Sequence, residues 1–429
     1  MHELSQMIKD DMKPALGVTE PGAIAFAVAK ARSFTKGDIK KVNVAMNSGM
    51  YKNAFTCGIP NSNEVGNVFA AALGVVAGNA DKGLESLADV TPEDNVKAQE
   101  MIDQGKVTVE LSGITSRIFI EATVETEEDK AIVTIRDSHT NITKITVNDK
   151  VELETEDEKK TEEDGGEEEA HSIHKYTLQQ LYDYVTTVDI EEIRFINEAY
   201  KVNLELFHEG LENPRTTFAR QLLAINNGKE VSDDEQKTAS LMCNPAIEAR
   251  VIGLDKPAMS ITGSGAHGII ATMPLYAAYK VNGYTEEQLL RATALSYLVC
   301  MYIKEYSGRL SAFCGCAIAA GSGMACALVY LRGGTVEMMA HTLNNMASSI
   351  TGMICDGGNQ GCTMKGVAAV DAAYKSVEFA MNGIYISEVH GINGNTPEET
   401  MRNMGLIASP GMVGTEKTIV EIFEDKLKK

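Results

Sequence analysis

The chain has 429 residues and a net charge of −21, from 39 basic and 60 acidic residues, with no tryptophan. That acidic balance argues against a nucleic-acid binder and against docking on an anionic membrane surface, since both need basic groups. The length suggests two or three domains. "MHELSQMIKDDMKPALG" carries charges where an apolar signal segment would stand, so no secretory leader is expected. Eight cysteines in the cytoplasmic, reducing setting this implies point to metal or catalytic roles before disulfides.

In chain order, "IAFAVAKARSF" (24–34) is compact, Ala-rich and predicted helical. "IKKVNVAMNS" (39–48) alternates, with Val42, Val44 and Met46 on one face, and predicts a half-buried strand. "NEVGNVFAAALGVVAG" (63–78) reads as helix, its small residues permitting close packing. From about 93 to 150 the character changes. A short helix, 93–104, precedes "KVTVELS", "SRIFIEATVE", "KAIVTIRD" and "ITKITVN". These four β-branched runs predict an antiparallel sheet, with strand 39–48 a candidate member. "ELETEDEKKTEEDGGEEE" (152–169) holds eleven acids and two lysines, nearly half the net charge. It reads as a solvated loop in preference to an interaction tract.

From 177 onward the chain reads as helical almost throughout. Amphipathic segments cover 177–186, 189–211, 216–227 and 233–252; apolar Gly/Ala helices follow at 267–281, 286–306, 312–331, 335–351 and 364–382. The stretches 257–279 and 310–331 are long enough to span a bilayer. Their Gly, Ala and Ser content fits central helices of a soluble bundle better, so no membrane is expected. The fold class expected is α+β: a large all-helical domain with a smaller α+β domain inserted. The division expected is 1–90, the N-terminal part of the helical domain with its strand; 91–175, the inserted domain with its acidic loop; and 176–429, the main helical domain.

Chemistry concentrates in four places. "SAFCGCAIAAGSGMAC" (311–326) and "MICDGGNQGC" (353–362) gather five of the eight cysteines. Cys300 and Cys326 sit inside apolar helices, where free cysteine packs as a small hydrophobe. Cys355 and Cys362 instead bracket a turn-forming "DGGNQG". One wide pair and one "CGC" make an asymmetric set of three thiolates. Such a set fits an iron–sulfur cluster with one open iron better than a closed zinc site, which repeats tight pairs. "SITGSGAHGIIATMP" (260–274) places Gly and Ser at a helix N-terminus, where free N–H groups attract an anion such as a carboxylate; the alternative is an ordinary helix start. His267 within it reads as a general base or as a capped surface histidine. In "YIKEYSGRLSA" (302–312), Lys304 and Arg309 either close a site or cap a helix C-terminus. "ALGVTEPGAIA" (15–25) sets Thr19, Glu20 and Pro21 at a helix start.

"TEPGAIA", "MYKNAFTCGIP", "AAALGVVAGNADKGLESL", "TGSGAHGI", "KEYSGRLSAFCGCAIAAG" and "GMICDGGNQGCTMKGVAAVDAA" together resemble the L-cysteine desulfidase family, which is related to the α-domain of the iron–sulfur L-serine dehydratases. The resemblance runs from about residue 10 to 385, excluding the acidic stretch. It implies a shared helical fold, an oxygen-sensitive [4Fe–4S] cluster and no pyridoxal phosphate. It also implies β-elimination of L-cysteine to pyruvate, ammonia and sulfide, with L-serine dehydratase-like deamination the alternative. Carried onto this chain, it makes Cys316, Cys355 and Cys362 the cluster ligands, with Cys314 the alternative to Cys316. The candidate catalytic groups are Glu20, His267 and Lys304. The candidate substrate-binding groups are Lys52, Asn53, Ser264, Gly265 and Arg309. The expected partner is a small amino-acid substrate, and a homo-oligomer is compatible.

One departure stands out. The family's Gly-Cys-Thr-Glu-Pro motif reads Gly17-Val18-Thr19-Glu20-Pro21 here. Val18 serves neither as base nor as ligand. Cys57 is the obvious substitute thiol; failing that, the chemistry has shifted, or the chain is a non-catalytic cluster-bearing sensor or scaffold.

Overall fold

The computed structural model describes residues 1–115, 117–156, 172–308 and 310–428. Among them the chain is α+β. Eight strands form two sheets: β1 (Lys13–Leu16), β2 (Ile39–Asn47), β3 (Val107–Gly113), β4 (Phe119–Thr126), β5 (Lys130–Arg136), β6 (Ile142–Val147), β7 (Lys150–Glu154) and β8 (Pro257–Ser260). The larger sheet runs β3-β2-β4-β5-β6-β7, and β1 pairs with β8 in a small antiparallel ribbon.

The larger sheet is mixed, not antiparallel throughout, because β2 and β3 run parallel. Between them the chain passes through helices Ser48–Ala54, Asn67–Ala77 and Pro92–Asp103. A crossover of that length returns the chain in the same direction, which a tight hairpin cannot do. The strand from the first ninety residues therefore lies second in the sheet, between β3 and β4, and the sheet is not confined to 91–175. Val42, Val44 and Met46 are wholly buried, as their alternation demands, each contributing about 1.5–3 kcal/mol relative to exposure. Helix Thr19–Arg32 packs on β4 and β5. One apolar core runs from Leu4 through the sheet and on to Val420.

The acidic tract begins as a strand. Asn148 and Asp149 both have positive φ (48° and 64°), the conformation of the two-residue hairpin turn that joins β6 to β7. β7 is exposed along its whole length: Val151 and Leu153 alternate with acids but bury no face. Residues 157–171 lie outside the described residues.

In the helical part, helices Glu235–Val251, Gly265–Asn282, Glu286–Ser307, Gly321–Leu331 and Gly361–Met381 pack on one another. Among the described residues no helix is long and apolar enough to cross a membrane. Three expected helices are shorter or broken. Residues 63–66 stay outside the helix because Gly66 has φ 95°. The segment 189–211 breaks at a 3₁₀ turn, Arg194–Ile196. The segment 312–331 is extended at its start, for a reason that bears on the site.

Candidate active site

Residues 313–314 do not begin a helix because their backbone is engaged elsewhere. Phe313 forms an isolated bridge with Ile354. Cys314 N donates to Met353 O at 3.0 Å, and Cys355 N donates to Ala312 O at 2.6 Å. Helical geometry resumes at a π-turn, Cys316–Ala320, and continues as Gly321–Leu331; such turns recur at functional sites. The glycine turn after Cys355 lies flat on its neighbours. A Cβ on Gly357 would stand 2.5 Å from the Lys52 carbonyl oxygen, and one on Gly358 would stand 2.8 Å from a Val18 methyl.

These segments bound a cavity of about 80 Å³, several times the space one water needs. Cys316, Cys355 and Cys362 all line it. They are the partly exposed cysteines of the chain; Cys57, Cys243, Cys300, Cys314 and Cys326 are buried. Cys314 is buried against the Cys316 thiol and does not line the cavity. Cys57, the substitute considered for Val18, is wholly buried, does not line the cavity and sits 3.5 Å from the Ala54 carbonyl. Val18 itself is part of the cavity wall.

Burial, and then the neighbouring Cys355, push the Cys362 thiol up to about 11, against the pull of Lys365. Lys365 in turn is ion-paired with Asp356. Thiols gathered in this way favour a cationic partner that takes them as thiolates. Among the described residues no three His, Cys, Asp or Glu side chains converge tightly enough to hold a single ion. A [4Fe–4S] cluster makes a different demand, binding each thiolate at a separate iron. The donor set of three soft thiols on one cavity fits that group in chemistry.

The opposite side of the cavity carries charge. Glu20, in the first turn of helix Thr19–Arg32, is buried. Burial opposes its ionisation, but His139, Asn53 and Arg250 outweigh it and hold the carboxyl at about 2. Asn53 Nδ2 donates to Glu20 Oε1 at 2.9 Å. His139 Nε2 stands 3.6 Å from the same oxygen, beyond hydrogen-bond reach, and is buried without a hydrogen-bond partner. Arg250 is buried at the end of helix Glu235–Val251, and its Nε also lacks a partner. Gly265 makes room for it: a Cβ there would stand 2.7 Å from Arg250 Nε.

His267 is positioned by a strained neighbour. Thr262 has φ 52°, unusual for a β-branched residue. Its N–H donates to Asp11 Oδ2 at 2.5 Å, and its hydroxyl donates to Ile261 O at 2.7 Å. With that proton committed, the 2.5 Å contact between Thr262 Oγ1 and His267 Nδ1 assigns the imidazole proton to Nδ1. Nε2 is left with its lone pair, close to Gly315, where an added Cβ would be 2.7 Å away. Burial, then Lys304 and Arg250, hold His267 well below the ordinary imidazole range, so it is neutral. Lys304 is lowered by burial, and its Nζ donates to Gly308 O at 2.8 Å.

The cavity therefore brings together Glu20, Asn53, Ser264, His267, Lys304 and the three cysteines expected from the sequence. Gly265 supports the wall through Arg250 without lining it. Lys52 does not reach the cavity: its ammonium is spent on the carbonyls of Ser311 and Cys355. Arg309 lies outside the described residues. The sequence reading missed Arg250, Thr262 and His139. Arg250 is the one cation in the otherwise largely apolar run 238–251, a signal that could have been read. His139 sits in the β5–β6 turn, where a single histidine carries no pattern.

The chain matches the family model of the serine dehydratase alpha chain over residues 81–421. It is 40% identical over 424 residues to a UPF0597 protein of Clostridium botulinum, covering 98% of each chain. It is 37% identical over 423 residues to a UPF0597 protein of Caldanaerobacter subterraneus, covering 99% of this chain and 98% of the relative. A UPF0597 protein of Bacteroides fragilis is 33% identical over 426 residues, with the same coverage.

Proposed function

The chain belongs to the serine dehydratase alpha chain family, and on that premise we propose that it is an iron–sulfur-dependent lyase catalysing β-elimination from a small amino acid, L-cysteine first and L-serine second. The observation that carries the reading is a single cavity with three partly exposed thiols on one side and Glu20, Arg250 and a lone-pair-bearing His267 on the other.

Cys316, Cys355 and Cys362 would hold a [4Fe–4S] cluster, and the chemistry it would supply is that of a Lewis acid toward the leaving group. The chain's own groups do the rest. Arg250 and the helix N-terminus at Gly265–Ala266 bind the carboxylate. The ionised Glu20, steadied by Asn53, holds the α-ammonium. His267 Nε2 removes the α-proton, its ring orientation fixed by Thr262. His139 Nε2 gives a proton to the departing sulfur or oxygen, with Glu20 balancing the charge. Lys304 adds positive charge beside the thiols. The released enamine hydrolyses in water to pyruvate and ammonia.

The test is anaerobic purification with iron and sulfide analysis, and pyruvate release from L-cysteine and L-serine. A brown protein releasing pyruvate is expected. A protein that takes up no iron on anaerobic reconstitution overturns the reading. Val18 at the cavity wall favours one second reading, a cluster-bearing sensor or scaffold, for which iron without turnover is the expected outcome.

A further inference from the structure

The C-terminal helix Val413–Leu427 carries a carboxylate with no place in the chemistry above. Glu416 is buried, with one oxygen hydrogen-bonded by Ser48 Oγ. Its other oxygen, Oε2, stands 3.6 Å from Lys52 Nζ and has no hydrogen bond. Lys52 is buried as well. Its ammonium donates to Ser311 O at 3.0 Å and to Cys355 O at 2.9 Å. These carbonyls flank the Phe313–Ile354 bridge that presents Cys316 and Cys355. The next residue, Asn53, accepts from Gly358 N at 3.1 Å, so one helix, Ser48–Ala54, braces both sides of Cys355. Phe55 stacks on Phe423 with centroids 4.5 Å apart, holding the C-terminal helix against it.

A buried ammonium is costly unless it has both acceptors and a countercharge. The two carbonyls supply the acceptors, and Glu416 supplies the charge. Without Glu416, the relief open to Lys52 is movement toward water, which withdraws both bonds from the thiol-bearing backbone. We infer that Glu416 is a positioning residue that acts through Lys52 to hold Cys316 and Cys355 in place. The last helix is then part of the thiol site, although it lends no group to the cavity. The inference rests on the ligand role of those thiols for its iron readout alone.

Glu416→Gln tests it, with Glu421→Gln on the exposed face of the same helix as control. The first readout is anaerobic maleimide labelling of the full-length, iron-free chain with peptide mapping. The second is iron bound after anaerobic reconstitution. Glu416→Gln is expected to label Cys355 and Cys316 several-fold faster than wild type relative to Cys326, with unchanged circular dichroism, and to bind less iron. The control is expected to match wild type. An unchanged labelling ratio overturns the inference. If Glu416→Gln fails to fold, the double variant Lys52→Met/Glu416→Leu removes both charges and restores apolar packing. Fast labelling there supports the positioning role, and wild-type labelling overturns it. Labelling needs no turnover, so a chain that releases no pyruvate still decides the question.

Discussion

The two walls of the cavity are built in different ways. The thiol wall is mostly irregular backbone, namely an extended segment at 311–314, a π-turn and a glycine turn, held by a bridge and by the buried Lys52 ammonium, and only Cys362 stands on a regular helix, in the first turn of Gly361–Met381. The acid–base wall is made of helix ends, namely the start of Thr19–Arg32, the end of Glu235–Val251 and the start of Gly265–Asn282, with one hairpin histidine added. Helix ends suit charge because their unpaired N–H groups and dipoles favour it. Irregular backbone suits thiols spread around a polynuclear group, because regular spacing would place them along one line. The proposed function gives metal retention to one wall and substrate and proton handling to the other.

The largest expected effect separates the walls outright. Cys316→Ala, Cys355→Ala and Cys362→Ala should each lose the iron measured after anaerobic reconstitution, while Cys326→Ala should keep it. Retention in Cys355→Ala or Cys362→Ala would break the ligand assignment. Next, His267→Gln should keep its iron and lower kcat by on the order of 10²–10⁴-fold, in a pyruvate assay. Iron loss there would show that the walls are not independent. Arg250→Met should act mainly on KM, raising it by about tenfold to a hundredfold, the worth of a charge-assisted hydrogen bond.

The last effect concerns stability and leaves turnover aside. Glu20 titrates near 2 in the folded chain against 4.5 for the free side chain, so its folded pKa is depressed. Its contribution is present in full above about pH 4.5 and is lost as the pH falls toward 2. Glu20→Gln should therefore flatten the acid limb of denaturant midpoint against pH, by on the order of 3 kcal/mol over that window. An unchanged acid limb would mean that the His139–Glu20–Arg250 cluster does not hold the carboxylate.

How far the site could be read in advance follows the same contrast. Five cysteines within about fifty residues, broken by glycines, announce themselves in one dimension. Arg250, Thr262 and His139 come from three separate elements and meet only through packing. Lys52 misled for a related reason. A lysine beside Asn53 reads as a substrate group, but one helical residue apart is about 100° around the axis, so the two side chains face different partners. β7 escaped because its short Val151/Leu153 alternation runs into a long acidic tract that reads as a solvated loop.

The sequence by itself determined the alternation that buries Val42, Val44 and Met46 and the helical character from 177 onward, because those depend on local spacing and residue type. The tertiary structure alone decided the parallel β2–β3 pairing, the burial of Cys314 beside the partly exposed Cys316, the proton position on His267 and the task of Lys52. Each of these is settled by which groups remain to satisfy a buried donor, acceptor or charge once distant segments have closed on one another.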